Sequence, residues 1–237
     1  MRKKTFTILT SIFAVLFCQS LTDSLFAKSR NIEEITLQLG SFSKIYLNGG
    51  YEVELIQGNE ESVTIVTEKE ILNKVKAEIS DGLLEINSEK EILVHKVKLI
   101  IKFKNIEELK IDGGMSLKSN QPIQVESLIL KVNGGADIKL NLSGKSLELN
   151  LAGGTNIEVK GNVGNLDIML GGAGNISADM LEAENVKVEI DGAGYAKVWA
   201  TKSIDAQLNG IGAIEYLGNP ANVKTGISGI GSIRQKE

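Results

Sequence analysis

Cysteine, histidine, proline and aromatic residues are all scarce in this chain of 237 residues. The one cysteine, Cys18, has no second thiol to pair with, so an intrachain disulfide is excluded. The one histidine, His95, lies in a charged stretch. A His-rich zinc site is excluded by the count. Ser/His/Asp or Cys/His catalysis would have to run through that one ring, with a partner in hydrogen-bond reach that the sequence does not suggest. Two prolines against 25 glycines exclude both a collagen-like chain and a Pro-rich linker. With 5% aromatics, the core has to be aliphatic. Positive charge is not in excess: 26 basic residues face 30 acidic ones. That balance lacks the basic stripe of a nucleic-acid binder and offers little attraction to anionic lipid.

Long apolar runs are missing too, with one exception near the N-terminus. Arg2, Lys3 and Lys4 precede an apolar stretch from Ile8 to Cys18, and Ser24-Leu25-Phe26-Ala27 leads into polar sequence at Lys28. This is the layout of a secretory signal peptide, and the run is shorter than the roughly 20 residues of a membrane-spanning helix. We read residues 1–27 as a leader cleaved after Ala27. Lipid anchoring at Cys18 is the alternative, disfavoured by the bulky Phe17 before it. Cleavage removes three basic residues, one acidic residue and the cysteine, leaving 23 basic against 29 acidic groups. The expected location is the periplasm or the surface of a bacterium.

Glycine is abundant where about 7%, or roughly 17 residues, is usual, and its placement is periodic. Lead glycines stand at Gly49, Gly113, Gly134, Gly153, Gly172, Gly192, Gly210 and Gly229, and the last six steps are 21, 19, 19, 20, 18 and 19 residues. A fixed period near 20 with small jitter marks a solenoid. The residues around each glycine alternate with period two: Leu147, Leu149 and Leu151 precede Gly153, and Ile157 follows it. Such alternation is a strand with one buried face, not a helix. Each unit therefore reads as strand, glycine turn, strand and a looser return through Gly144, through Gly161 and Gly164, or through Gly218. Stacked rungs lie about 4.8 Å apart, which leaves little room for a Cβ at the turn. Asn, Asp or Ser precedes the lead glycine in six of the eight copies: Asn48, Asp112, Asn133, Asp191, Asn209 and Ser228. Such side chains cap turns and would stack as a polar ladder.

The expected fold is all-β: a parallel β-helix, or β-solenoid, of two-strand rungs with about 19–20 residues each. The expected organisation is an N-terminal arm at 28–39 and one solenoid domain at 40–237. Within it, 40–112 is a less regular cap and 113–237 the regular repeat. The 64-residue step from Gly49 to Gly113 is close to three units without the glycine mark. Asp81-Gly82 reads as a hairpin turn, and Thr67 to Asn73 as a short helical turn.

The recurring Gly-Gly/Ala/Ile-x-x-Ile turns, with the entry Ser43-Lys44-Ile45-Tyr46-Leu47-Asn48-Gly49-Gly50-Tyr51-Glu52-Val53-Glu54-Leu55, resemble an exported bacterial family. It is the auto-transporter adhesin, head GIN domain family, and the resemblance covers about residues 40–233. It implies a right-handed β-helical fold and an adhesive role. It brings no catalytic, metal-binding or cofactor-binding residues to transfer.

Little chemistry stands out beside the repeat. Five residues before the lead glycine, the outward positions are Lys44, Glu108, Ile129, Glu148, Asp167, Lys187, Asp205 and Lys224. Glu148 and Asp167 form an acidic pair on adjacent rungs, which a carbohydrate-active enzyme would need, but the lysines around them read as a solvated charge ladder. Asp137, Asn156 and Asn175 share a slot similar to that of calcium-binding β-rolls, yet neutral amides bind calcium weakly. Gly172-Ala173-Gly174 lacks the Lys-Ser/Thr of a phosphate loop. Tyr46, Tyr195 and Trp199 are outward aromatics and candidate surface contacts. The expectation is an exported, non-enzymatic, cofactor-free module that binds a protein or a glycan at the cell envelope, with no nucleic acid, no membrane span and homo-oligomerisation open. The alternatives are a structural envelope protein that self-associates through the solenoid, and a polysaccharide-active enzyme.

Overall fold

The computed structural model describes residues 31–88 and 96–236. The leader, Cys18 and His95 lie outside the described residues. Residues 31–237 form one compact unit. Strand accounts for 79% of the structure, arranged as a β-solenoid of about six turns with a mixed sheet.

The second strand, not the first, makes the first rung of the solenoid. After β1 (Ile32–Gln38) comes β2 (Lys44–Gln57), which runs through the Gly49 corner as one 14-residue strand. Its next rung is β7 (Glu108–Ser119), and the register aligns Gly49 with Gly113. The 64-residue step is therefore one rung advance interrupted by an insertion, and the reading of three unmarked units is corrected. The reason lies in strand direction. The inserted strands β3 (Ser62–Glu68), β4 (Val75–Ser80), β5 (Leu83–Ser88) and β6 (Lys98–Phe103) fold back antiparallel, β1 on β3, β3 on β6 and β4 on β5. Rungs of a solenoid would have to run parallel. β5 and β6 then pair parallel with the two arms of β2 and cover its free edge. Repeat proteins need such a cap, because an end rung otherwise leaves backbone groups and core side chains open. The β4–β5 connection is the two-residue turn Asp81-Gly82, with φ of 50° and 76°. Two positive φ values define a type I′ turn, whose twist matches a hairpin. A four-residue helix, α1 (Lys69–Leu72), follows β3.

From β7 onward the stack is regular and parallel. β8 (Ile123–Leu151), β9 (Gly154–Leu170), β10 (Ala173–Ile190) and β11 (Ala193–Leu208) continue it. β12 (Ile211–Leu217), β13 (Asn222–Ile227) and β14 (Ile230–Gln235) complete it. The registers align Asn156 with Asn175, Asn175 with Tyr195, and Ile176 with Ala196. The returns through Gly144 and through Gly161 and Gly164, expected to be loose, are strand as well: Lys160 to Val163 pairs with Met180 to Ala183 on the next rung. The return through Gly218, between β12 and β13, is loose as expected. Rung lengths of 18 to 21 residues are accommodated by register shifts in these returns, as between Ser177 and Met180. The corners stay aligned because a bulge costs little in a return and a corner has no spare room.

Alternation sets what is buried. Leu147, Leu149, Leu151, Leu166, Ile168, Leu170, Val186, Val188 and Ile190 are all at most 3% exposed. Each such side chain contributes about 1.5–3 kcal/mol over its exposed state. Among the described residues the buried aromatic side chains are Phe42, Tyr51 and Phe103 near the cap and Tyr216 near the other end, so the core of the middle rungs is aliphatic apart from the buried Thr155.

Candidate functional site

Three features occupy the outer surface: charge ladders, a buried carboxylate and a notch beside the corners. At the corners a Cβ on Gly113, Gly134, Gly153, Gly172, Gly192, Gly210 or Gly229 would overlap the carbonyl oxygen of the preceding lead glycine. The glycines form a column of backbone packed on backbone. Gly134 also has a φ of 150°, which disfavours a side chain independently.

The row five residues before the corners is a ladder of mixed charge that alternates only from Asp167 onward. Lys187 stands against Asp167 at 4.0 Å, and Lys224 against Asp205 at 2.7 Å. Glu148 and Asp167 are register neighbours, as the spacing implies. They do not converge on a common target: Glu148 Oε1 accepts a hydrogen bond from Asn150 Nδ2 at 2.7 Å, and Asp167 faces Lys187. Asp167 sits at the edge of an open trough of about 680 Å³, lined also by Asn165, Asn185, Ser203, Asp205 and Asn222. The trough's side chains bond to one another: Asn185 Nδ2 donates to Asn165 at 3.1 Å, and Ser203 Oγ to Asn185 at 2.8 Å. Among the described residues no group of three or more His, Cys, Asp or Glu could hold a metal ion.

The three aromatics do not form one site. Tyr46 lies on the first rung, with Lys110 Nζ 4.4 Å from its ring centroid. Its hydrogen bond to the Asp112 carboxylate, with burial second, pushes its hydroxyl up to about 12. Tyr195 and Trp199 share the outer face of β11, five rung steps and roughly 24 Å along the axis from Tyr46. All three are half-buried.

Glu215, a residue the sequence reading passed over, is the buried charge of the outer face. It is 1% exposed. Tyr195 donates its hydroxyl to Oε2, Arg234 Nε donates to Oε1 at 2.8 Å, and Lys236 Nζ lies 2.9 Å from Oε2. These donors, the Tyr195 hydroxyl foremost, lower the carboxyl from its ordinary 4.5 to about 2. The signal in the sequence is weak: Glu215 and Arg234 are register partners on β12 and β14. A depressed folded-state value stabilises fully above about 4.5 and is lost as pH falls towards 2. Glu215 therefore pins β14 down to strongly acid pH. We expect acid titration from pH 5 to 2 to release β14, reported by the fluorescence of the neighbouring Trp199, and Glu215→Gln to remove that transition.

The ladder before the corners is itself broken. Ser228 Oγ donates to Asn209 at 2.9 Å, and Asn209 Nδ2 to Asp191 at 2.8 Å. On the next two rungs the position holds Gly171 and Ala152, before the row resumes with Asn133 and Asp112. The gap is a notch of about 300 Å³ between Asn133 and Asp191, with Met169 and Ala152 in its lining. Met169 is 43% exposed, which sets it apart from the buried aliphatics of the stack.

The family model for "putative auto-transporter adhesin, head GIN domain" matches residues 41–220. The chain belongs to this GIN-domain family. Its fold recurs in a putative adhesin from Bacteroides fragilis, with a TM-score of 0.81 at 20% identity over 88% of this chain and 98% of that one. It recurs also in a putative lipid-binding protein and a putative adhesin from Parabacteroides distasonis. Both have TM-scores of 0.61, at 19% and 21% identity, over 88% of this chain and 98% of theirs. No curated protein matches the chain. The names carried by the GIN-domain family and these neighbours are those of adhesins or lipid-binding proteins, not of enzymes. Among the described residues no helix is long and apolar enough to cross a membrane.

Proposed function

We propose that this GIN-domain chain is an exported binding module of the bacterial cell envelope, with adhesion to a glycan or protein as its role. The observation that carries the reading is the outer face: a rigid, in-register stack presents rows of amides, hydroxyls and paired charges along an open trough. Repeated polar groups at fixed spacing suit an extended ligand, whereas catalysis needs groups converging on one reacting bond. The family name points the same way.

The test is a glycan array together with a pull-down from bacterial envelope extract, using residues 28–237. Specific, saturable capture supports the module. Turnover of a polysaccharide that disappears on Glu148→Ala and Asp167→Ala overturns it in favour of an enzyme. The mass of the exported protein's N-terminal peptide distinguishes Lys28 from a lipidated Cys18. A structural, self-associating role has one observation in its favour: Ile211, Val223, Ile227 and Ile230 are 50–72% exposed on the last described strands. Concentration-dependent assembly without ligand capture would support that reading instead.

A further inference from the structure

We propose that the notch between Asn133 and Asp191 is a binding site for one neutral pyranose ring of a glycan. The inference rests on the binding role above and assigns it a place. The notch exists because two adjacent rungs lack the polar residue found before the other corners. The backbone beneath is undisturbed: Ala152 N donates to Val132 O and Gly171 N to Leu151 O, both at 2.9 Å. Only side chains are missing, so the gap is a shaped surface and not a local failure of the fold.

The lining selects the ligand. Met169, Ala152, Lys110 and Lys131 are among its lining residues, so a thioether side chain, a methyl and two lysine stems contribute apolar surface. That surface suits the C–H face of a sugar ring, as apolar linings with a few placed polar groups do for small ligands generally. The exposed polar groups at the rim are a planar amide and a carboxylate, Asn133 and Asp191. Such groups accept or donate pairs of hydrogen bonds to neighbouring hydroxyls. Asp112 is engaged within the protein: Oδ2 faces Lys110 Nζ at 3.2 Å, the carboxylate takes the Tyr46 hydroxyl, and Oδ1 is out of reach of solvent, so the hydroxyl contacts fall to Asn133 and Asp191. Charge argues for a neutral ligand. Both lysines are already paired, Lys110 with Asp112 and Lys131 with Glu108 at 2.9 Å, so an anion finds no free cation in the lining and Asp191 repels it. Size argues for one ring: Asn133 and Asp191 are three rung steps apart, roughly 14 Å between backbones, and about 300 Å³ is too shallow for a long acyl chain.

The test uses the methionine as a reporter. The exported chain, carrying ¹³C-methyl methionine, is titrated with glucose, galactose, mannose and N-acetylglucosamine, and separately with galacturonate and octanoate. The expected result is a saturable Met169 shift in the millimolar range with at least one neutral sugar, while exposed Met180 does not move. Gly171→Asn restores the missing ladder group, and a Cβ there meets nothing nearer than Leu151 O at 3.9 Å. It is expected to fold with an unchanged melting point and to weaken the sugar at least about tenfold. Ala152→Asn, at a position that already carries a Cβ, is expected to do the same. A Met169 signal silent to every neutral sugar, moved only by galacturonate or octanoate, or equally responsive in both filled variants overturns the proposal. Glycan capture on the array with Met169 silent removes the site from the notch and leaves the binding role standing. A blank array and pull-down with Met169 silent overturns both.

Discussion

Gly172→Val is expected to abolish cooperative folding, or to lower the melting temperature by roughly 10 °C or more at about 3 kcal/mol or above. The Cβ would overlap the carbonyl oxygen of Gly153 and stand 2.8 Å from the carbonyl carbon of Ala152. Neither atom can yield cheaply. Gly153 O accepts the N–H of Ala173 at 3.0 Å, so moving it breaks the hydrogen bond that carries one rung onto the next. The strain also propagates, because Gly192 packs on Gly172 as Gly172 packs on Gly153. Each rung is stabilised chiefly by its neighbours, so damage in mid-stack removes two interfaces together. The adjacent Gly171→Val serves as the control. Its nearest atom would be Leu151 O at 3.9 Å, an ordinary contact, and its melting point is expected to move by only a few degrees. Thermal melts followed by circular dichroism distinguish the two.

Ile168→Asp is expected to be similarly destructive, while Asp167→Ala one residue earlier is tolerated. Ile168 is 0% exposed and sits in register between Leu149 and Val188, so a carboxylate there would have neither water nor a partner. Burying an unpaired charge in an aliphatic stack costs several kcal/mol even after the group takes up a proton. Asp167 points the other way. Its side chain and that of its partner Lys187 are 46% and 49% exposed, and their separation is 4.0 Å. A pair of that kind contributes at most about 1 kcal/mol. The contrast tests the period-two alternation directly, with chemical denaturation as the measurement.

The fold of the repeat was legible because one physical constraint writes itself into the sequence eight times. Rungs about 4.8 Å apart exclude side chains at the corner, and alternation marks the buried face on either side. The cap was legible only in part. Its strands could be picked out, but nothing local says that β3 lies antiparallel to β1 and β6, so the distance from Gly49 to Gly113 suggested rungs that are not there. The return through Gly161 and Gly164 looked loose for a related reason: the two glycines read as breaks, whereas neighbouring rungs hold that backbone in strand. Glu215 is a charged residue at an outward position, and only the stack reveals that Tyr195, Arg234 and Lys236 close over it. The notch was visible as two exceptions to the Asn/Asp/Ser row, Ala152 and Gly171. Their meaning depends on lying next to each other in space, 19 residues apart in sequence.

The central claim is that the lead glycines are required by backbone stacking and not by glycine content in general. It is tested most directly by the melting temperatures of Gly153→Ala and Gly154→Ala. One methyl group is added in each, at adjacent positions. At Gly153 it would overlap Gly134 O and lie 2.7 Å from the Gly134 carbonyl carbon, and at Gly154 it would meet nothing within 4 Å. The account predicts a fall of at least about 4–8 °C for Gly153→Ala, and no fall or a slight rise for Gly154→Ala. Equal melting temperatures for the two variants would contradict it.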